Sequence, residues 1–259
     1  MRPCSATSPP GSTAMTAKAS ALALALVWGG GAALAVCTKT EYHDQSFTYC
    51  ETGIADDLRL FLNDGDGQVL GNFRNIDAAL RDEGKQLGFA MNAGMYHRDR
   101  SPVGLYIEGG ETLSRIVTSY GPGNFGMLPN GVFCIEAAQY RVIESRSFAE
   151  DPPACLYAAQ SGPMLVIEGE YHPRFIVESD SRLIRNGVGV SADGLRAVFV
   201  ITDTPVNFHE FARFFREYLG LDQALYFDGN VSRLHAPNLR RSDWGPLLGP
   251  ILGKVVDLE

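Results

Sequence analysis

The chain has 259 residues, 45% of them hydrophobic and 20% charged, and a formal net charge of −8. Such a length and apolar content suffice for one domain with a sizeable core. The acidic balance argues against non-specific nucleic-acid binding, which needs a basic surface, while leaving room for a local cationic pocket.

Near the N-terminus, Lys18 precedes the apolar run 21–28, then glycines and Ala33-Leu34-Ala35. A cationic start, a short apolar core and an A-x-A site read as a secretory signal peptide over residues 1–35. The run is too short and glycine-rich for a comfortable membrane span. Met15 sits where such a leader naturally begins, so residues 1–14 read as a misassigned start. The domain is then expected over 36–259, secreted or periplasmic, with no stable membrane anchor after cleavage. Cleavage removes Arg2 and Lys18 and leaves the mature chain more acidic still. It also leaves four cysteines, Cys37, Cys50, Cys134 and Cys155. An even count in an exported chain implies two disulfides. Closure of short loops favours Cys37–Cys50 and Cys134–Cys155. The spacings match no zinc signature.

Strands are predicted over 47–50 and 57–62, the second ending in the turn Asn63-Asp64-Gly65-Asp66-Gly67. A calcium loop starting there would need an acidic residue where Arg74 stands, so the turn reads as a β-turn. A short helix follows over 75–84 and a buried strand over 87–92. Strand pairs are expected for 103–107 with 113–117 and for 131–136 with 140–144. Further strands are expected at 156–159 and 164–167. Residues 188–191 and 195–202 flank Ala192-Asp193-Gly194, a hairpin signal. Asn207 with Glu210 forms a capping-box pattern, and Phe208, Phe211, Ala212, Phe215 and Leu219 recur at helical spacing before Gly220. A strand over 224–227 then delivers Asp228. Many hairpins and few helices predict an α+β fold: a mixed, mainly antiparallel sheet with flanking helices in a single domain.

Four polar, glycine-bearing patches stand at the edges of these strands: Asn92-Ala93-Gly94-Met95-Tyr96, Gln160-Ser161-Gly162-Pro163, Arg185-Asn186-Gly187-Val188-Gly189 and Phe227-Asp228-Gly229-Asn230-Val231-Ser232. Glycine allows sharp turns and close approach of backbone to a ligand. Asp228 suits a nucleophile, a general base or a stabiliser of positive charge on a sugar carbon. A turn aspartate making a local hydrogen bond is the plainer alternative. Arg185 is the first candidate anion ligand. Asn92 offers an amide donor to an oxyanion or hydroxyl, and His97 a phosphate donor or proton shuttle. The remaining histidines lack metal-ligand spacing, and no G-x-S-x-G elbow is present. No metal or cofactor is expected.

Taken in order, and with Leu128-Pro129-Asn130-Gly131-Val132-Phe133 added, the patches resemble the phosphodiester glycosidase family, that of the N-acetylglucosamine-1-phosphodiester α-N-acetylglucosaminidase domain, in its exported bacterial branch. The likeness runs from about Phe47 to Val256. It implies a hydrolase that cleaves the bond between a sugar's anomeric carbon and a phosphodiester oxygen, on cell-envelope or exopolysaccharide glycans. By that resemblance Asp228, Arg185 and Asn92 are catalytic, and Gln160, Gly162, Gly187, Gly229, Ser232 and His97 bind substrate. The family often carries Asp-Gly-Gly-Gly-Ser where this chain has Asp228-Gly229-Asn230-Val231-Ser232, and Arg-Thr where it has Arg185-Asn186. Two other functions fit the same residues: a phosphodiesterase breaking P–O, and a non-catalytic binder of phosphorylated glycans.

Overall fold

A computed structural model describes residues 37–258, together with Met1, Pro3 and Ser5. The leader expected over 1–35 lies, those three residues apart, outside what is described. Three sheets make up the domain. The largest has seven strands, in the spatial order Cys37–Tyr42, Gln45–Gly53, Arg196–Thr202, Asn186–Val190, Gln223–Asp228, Met164–Ile167 and Glu170–Tyr171. A second orders Arg241–Ser242, Leu234–Ala236, Lys85–Asn92, Ile251–Asp257 and Asp57–Phe61. A third orders Glu111–Ser114, Tyr106–Glu108, Tyr157–Ser161, Gly131–Ile135 and Tyr140–Glu144. The ladders are antiparallel throughout the described residues. The fold is α+β, with the strands shared among sheets rather than gathered in one.

Alternation along the strands explains the layering. Phe199 points into a core it shares with Phe89 of the second sheet and Phe133 of the third. Its neighbours Val198 and Val200 point the other way, under Phe211, Phe214 and Phe215 of the helix Phe208–Arg213 and its continuation Phe214–Tyr218. Period-two side chains thus give the sheet two buried faces. The other sheets repeat the scheme. Helix Phe73–Arg81 seats Phe73, Ile76 and Leu80 on Leu87, Ala90 and Ile251, and the short helix Ser145–Glu150 puts Phe148 beside Val132 and Ala158. Truncating a fully buried phenylalanine such as Phe199 to alanine costs about 3–5 kcal/mol.

Both expected disulfides form, Cys37–Cys50 and Cys134–Cys155. Cys37 and Cys50 are register partners on neighbouring strands, which brings their side chains together. Asn207 caps its helix in a full capping box with Glu210. In the turn after Phe61, Asp64 Oδ1 accepts from the N–H groups of Asp66 and Gln68. Differences fall at the ends. The first helix starts at Phe73, where the Asn72 side chain accepts from Asn75 N–H, two residues ahead of the expected start. The hairpin expected over 103–107 and 113–117 is shorter, Tyr106–Glu108 with Glu111–Ser114, because residues before Leu105 are drawn into a loop.

Candidate active site

Asp228 ends an inner strand of the seven-stranded sheet. Register slips here: Gly187 faces Tyr226 and Asn186 faces Asp228, leaving Phe227 as the extra residue of a bulge. Tyr226 and Asp228 both line a cleft of about 560 Å³ with Tyr96, Arg100, Asn124 and Val231. Three loops complete its walls, one after Lys85–Asn92, one around Gly123 and one after Asp228 itself.

The carboxyl of Asp228 is 8% exposed and turns back on its own loop. Its Oδ1 accepts from Gly229 N–H at 2.5 Å and Asn230 N–H at 2.8 Å. Burial raises its pKa above the ordinary carboxylate value, and the amides of Asn230, Gly229 and Val231 pull the other way without cancelling it. A carboxylate poised this way is basic for its class. The Tyr226 phenol is raised further, chiefly by burial and then by Asp228, with Arg185 and Asn124 opposing. It therefore stays protonated and serves as a hydrogen-bond donor. A side chain at Gly229 would collide with the Tyr226 hydroxyl, so glycine permits that close approach.

The facing loop is folded by Asp99, whose Oδ1 accepts from Ser101 N–H and hydroxyl, and by His97 N–H donating to Ser101 O. It holds Arg100 at φ 76°, a backbone conformation that non-glycine residues rarely adopt. The Arg100 guanidinium lies 5.3 Å from the Tyr96 ring centre. Burial raises the Tyr96 phenol, and Asp228 adds to the effect. One carboxylate, two protonated phenols, the amides of Asn124 and Asn230 and a guanidinium therefore share the cleft.

The other residues singled out from sequence have varied places. Arg185 is 0% exposed and stands behind Tyr226, its guanidinium 3.8 Å from the Phe208 ring centre. Nε donates to Val206 O and Nη2 to Ser181 O, and the charge acts on the Tyr226 phenol. Asn92 is buried, its Oδ1 accepting from Arg233 N–H and its carbonyl from Asn186 Nδ2. The Ser232 hydroxyl joins the same network, its single proton within hydrogen-bond reach of Asn186 Oδ1, Ile184 O and Asp228 O. The network ties two sheets together beneath the cleft. Gln160 spends its amide on Leu105 N–H, Val117 N–H and Val117 O, pinning a loop. Gly162 packs on Asn130, Gly187 on the Leu225 carbonyl, and His97 is exposed on the loop that carries Arg100.

Sequence reasoning missed Tyr96, Arg100, Asn124 and Tyr226. Tyr96 closes the first patch, Asp99-Arg100-Ser101 spells a tight turn, and Asn124 lies in the glycine-rich stretch Gly121-Pro122-Gly123-Asn124-Phe125-Gly126. Tyr226 gave no signal, since it reads as strand core. Among the described residues no group of three or more His, Cys, Asp or Glu is placed to hold a metal ion.

A model of the phosphodiester glycosidase family matches residues 85–236, more than half of the chain. Among curated proteins the chain is similar to the uncharacterized protein YigE of Escherichia coli strain K12, 33% identical over 178 residues and covering 69% of each. Among solved structures it resembles the catalytic domain of zebrafish N-acetylglucosamine-1-phosphodiester alpha-N-acetylglucosaminidase, auto-inhibited by its pro-peptide. That likeness has a TM-score of 0.57 at 12% identity, over 85% of this chain and 81% of that one. A Burkholderia pseudomallei protein given as exported superposes with a TM-score of 0.54 at 11% identity, over 81% and 74%. At such identities the structures speak to fold alone.

Proposed function

The chain belongs to the phosphodiester glycosidase family, and on that premise we propose that it hydrolyses the bond between a sugar's anomeric carbon and a phosphodiester oxygen in the cleft that holds Asp228. The observation that carries this reading is the pairing of one basic, buried carboxylate with Arg100, Tyr96, Tyr226 and Asn124. The leaving group is a phosphate monoester, already a stable anion, so strong general-acid help is not needed. Such a site must hold negative charge and stabilise an oxocarbenium-like carbon. In the proposal Arg100 and Asn124 hold the phosphate, and the Tyr226 phenol donates to it. Asp228 faces the anomeric carbon, as nucleophile or as base for water. Arg185 acts from behind, keeping a positive potential on Tyr226, while Asn92 and Ser232 fix the loop that carries Asp228. Gln160, Gly162 and Gly187 shape the site through the backbone, and His97 approaches the substrate from the rim.

We also propose that the domain over 36–259 works outside the cytoplasm, secreted or periplasmic, on cell-envelope or exopolysaccharide glycans. Two disulfides support an oxidising compartment, and among the described residues no helix is long and apolar enough to cross a membrane. Hydrolysis of N-acetylglucosamine-1-phosphate methyl diester in ¹⁸O-water tests the reaction. Label in the sugar hydroxyl supports the proposal. Label in phosphate means P–O cleavage. Absence of turnover, with diester binding that survives Asp228→Asn, means a non-catalytic binder.

A further inference from the structure

A second cleft, of about 510 Å³, opens beside the first and is lined by Phe73, Arg74, Arg233, Trp244, Gly245 and Leu248. Val231 joins the two. It lines the Asp228 cleft and packs against the apolar cluster that holds Phe73 and Leu248. Arg233 joins them again, since its guanidinium acts electrostatically on Tyr96 and Arg100, both walls of the Asp228 cleft.

The chemistry of this second cleft is specific. Trp244 is 95% exposed, an indole held open to solvent at the mouth of a cavity. Large aromatics are seldom left so bare, and an aromatic face is a platform for the apolar face of a sugar ring. Arg74 is exposed on the helix Phe73–Arg81, and its side chain makes no hydrogen bond or ion pair with the described residues. Arg233 is 7% exposed and packs so closely on Gly245 that a side chain there would collide with it. Nη1 donates to Pro246 O at 2.6 Å, while Nε and Nη2 have no hydrogen-bond partner among the described residues. The acid in the cleft is already spoken for: Asp243 takes both Nε and Nη2 of Arg241 and the N–H of Leu234. Asp243 also acts electrostatically on Arg233, but its carboxylate oxygens are taken up by Arg241. Two guanidinium groups hydrogen-bonded to no carboxylate thus stand beside an open indole, which matches an anionic sugar.

We propose that this cleft is a second subsite, which takes the next anionic sugar of an oligomeric phosphoglycan whose scissile bond lies over Asp228. The proposal rests on the reading of the Asp228 cleft as a glycosidase site. It makes the substrate a chain of glycosyl phosphates rather than a single sugar diester. Val231 and Arg233, on the loop where this chain departs from the glycine-rich form common in the family, build the shared wall.

Two probes separate the subsites: N-acetylglucosamine-1-phosphate methyl diester, which fills the first alone, and an oligomer of three N-acetylglucosamine-1-phosphate repeats, which reaches both. Trp244→Ala and Arg74→Ala alter exposed side chains and leave the core intact. Each is expected to lower kcat/KM on the trimer about tenfold, mainly through KM, with less than about a twofold change on the methyl diester. Equal effects on both probes, or none on the trimer, overturn the subsite. Where wild type turns over neither probe, the hydrolase reading fails, and calorimetric titration with the trimer decides the subsite by itself. Trimer binding weakened about tenfold by Trp244→Ala supports it, and trimer binding that is absent or unchanged overturns it.

Discussion

Asp228 is held between opposing influences: backbone amides that favour its anion and a buried setting that favours its acid, with burial the larger. Asp228→Asn keeps the size and one acceptor oxygen for Gly229 and Asn230 N–H. It is expected to lower turnover of the methyl diester by about two orders of magnitude or more, as loss of a positioned acid–base group does. The same change should stabilise the fold. A carboxyl whose folded pKa is raised contributes stability at low pH and loses it as pH climbs through that value. At neutral pH the native protein therefore carries an unfavourable buried charge that asparagine removes. The melting temperature of the variant should exceed wild type at pH 7 and approach it below the carboxylate range. A variant that melts lower at pH 7 would show that the amide bonds outweigh burial. Asp228 was legible in the sequence because it joins an apolar strand to Gly229. Tyr226 was not, because a tyrosine in a run of strand-core residues carries no mark to tell a cleft wall from core, although alternation puts it on the face it shares with Asp228.

Elements with local punctuation could be read directly. The hairpin Asn186–Val190 with Arg196–Thr202 declares itself through Asp193-Gly194, where Asp193 Oδ1 accepts from Leu195 N–H and the Ser191 hydroxyl. Strands that depend on distant partners stayed hidden. Ile251–Asp257 lies inside the second sheet between Lys85–Asn92 and Asp57–Phe61, yet Gly253 and Lys254 interrupt its apolar pattern. Lys254 is accommodated because Asp56 meets its Nζ at 2.9 Å. Cys37–Tyr42 reads as polar coil and becomes an edge strand by pairing with Gln45–Gly53. The candidate site followed the same rule. Patch glycines were visible, whereas Arg100 sits in a turn closed by its own neighbours, and a turn motif does not say which cleft it will face. Asn207 tests the value of a local signal. Its Oδ1 caps Glu210 N–H, its own N–H donates to Glu210, and its Nδ2 donates to Val177 O and Ser179 O. Loss of an ordinary cap costs about 1 kcal/mol. Asn207→Ala also orphans two carbonyls on the segment leading to Ser181 and Arg185, so about 2–3 kcal/mol is expected by urea unfolding. A loss under about 1 kcal/mol would show that the helix alone feels the change.

For the molecule as a whole, three sheets around one core leave several titratable groups buried where sheets and loops meet, and their pKa values set how stability follows pH. His172 is 2% exposed, stacked 4.8 Å from Phe175, and its Nδ1 accepts from Arg174 N–H. Burial, first, and then Arg174 lower its pKa to about 4, against partial opposition from backbone carbonyls at Leu128 and Pro129. The folded protein therefore keeps this ring neutral where the unfolded chain, with an ordinary value near 6.5, takes up a proton. Stability from this source is complete above about pH 6.5 and is lost as pH falls toward 4, reaching about 3 kcal/mol. Asp228 acts with the opposite sign over the acid range, since its raised carboxyl regains stability on protonation. Asp57 and Glu210, both lowered, side with His172 as pH falls. Variants separate these contributions. Urea unfolding of His172→Gln at pH 7 and pH 4 should show a destabilisation that is smaller by about 3 kcal/mol at the acid end, because glutamine has no proton to take up. Asp228→Asn should instead steepen the acid loss. An unchanged pH dependence in His172→Gln would move the acid sensitivity of the fold to the carboxylates.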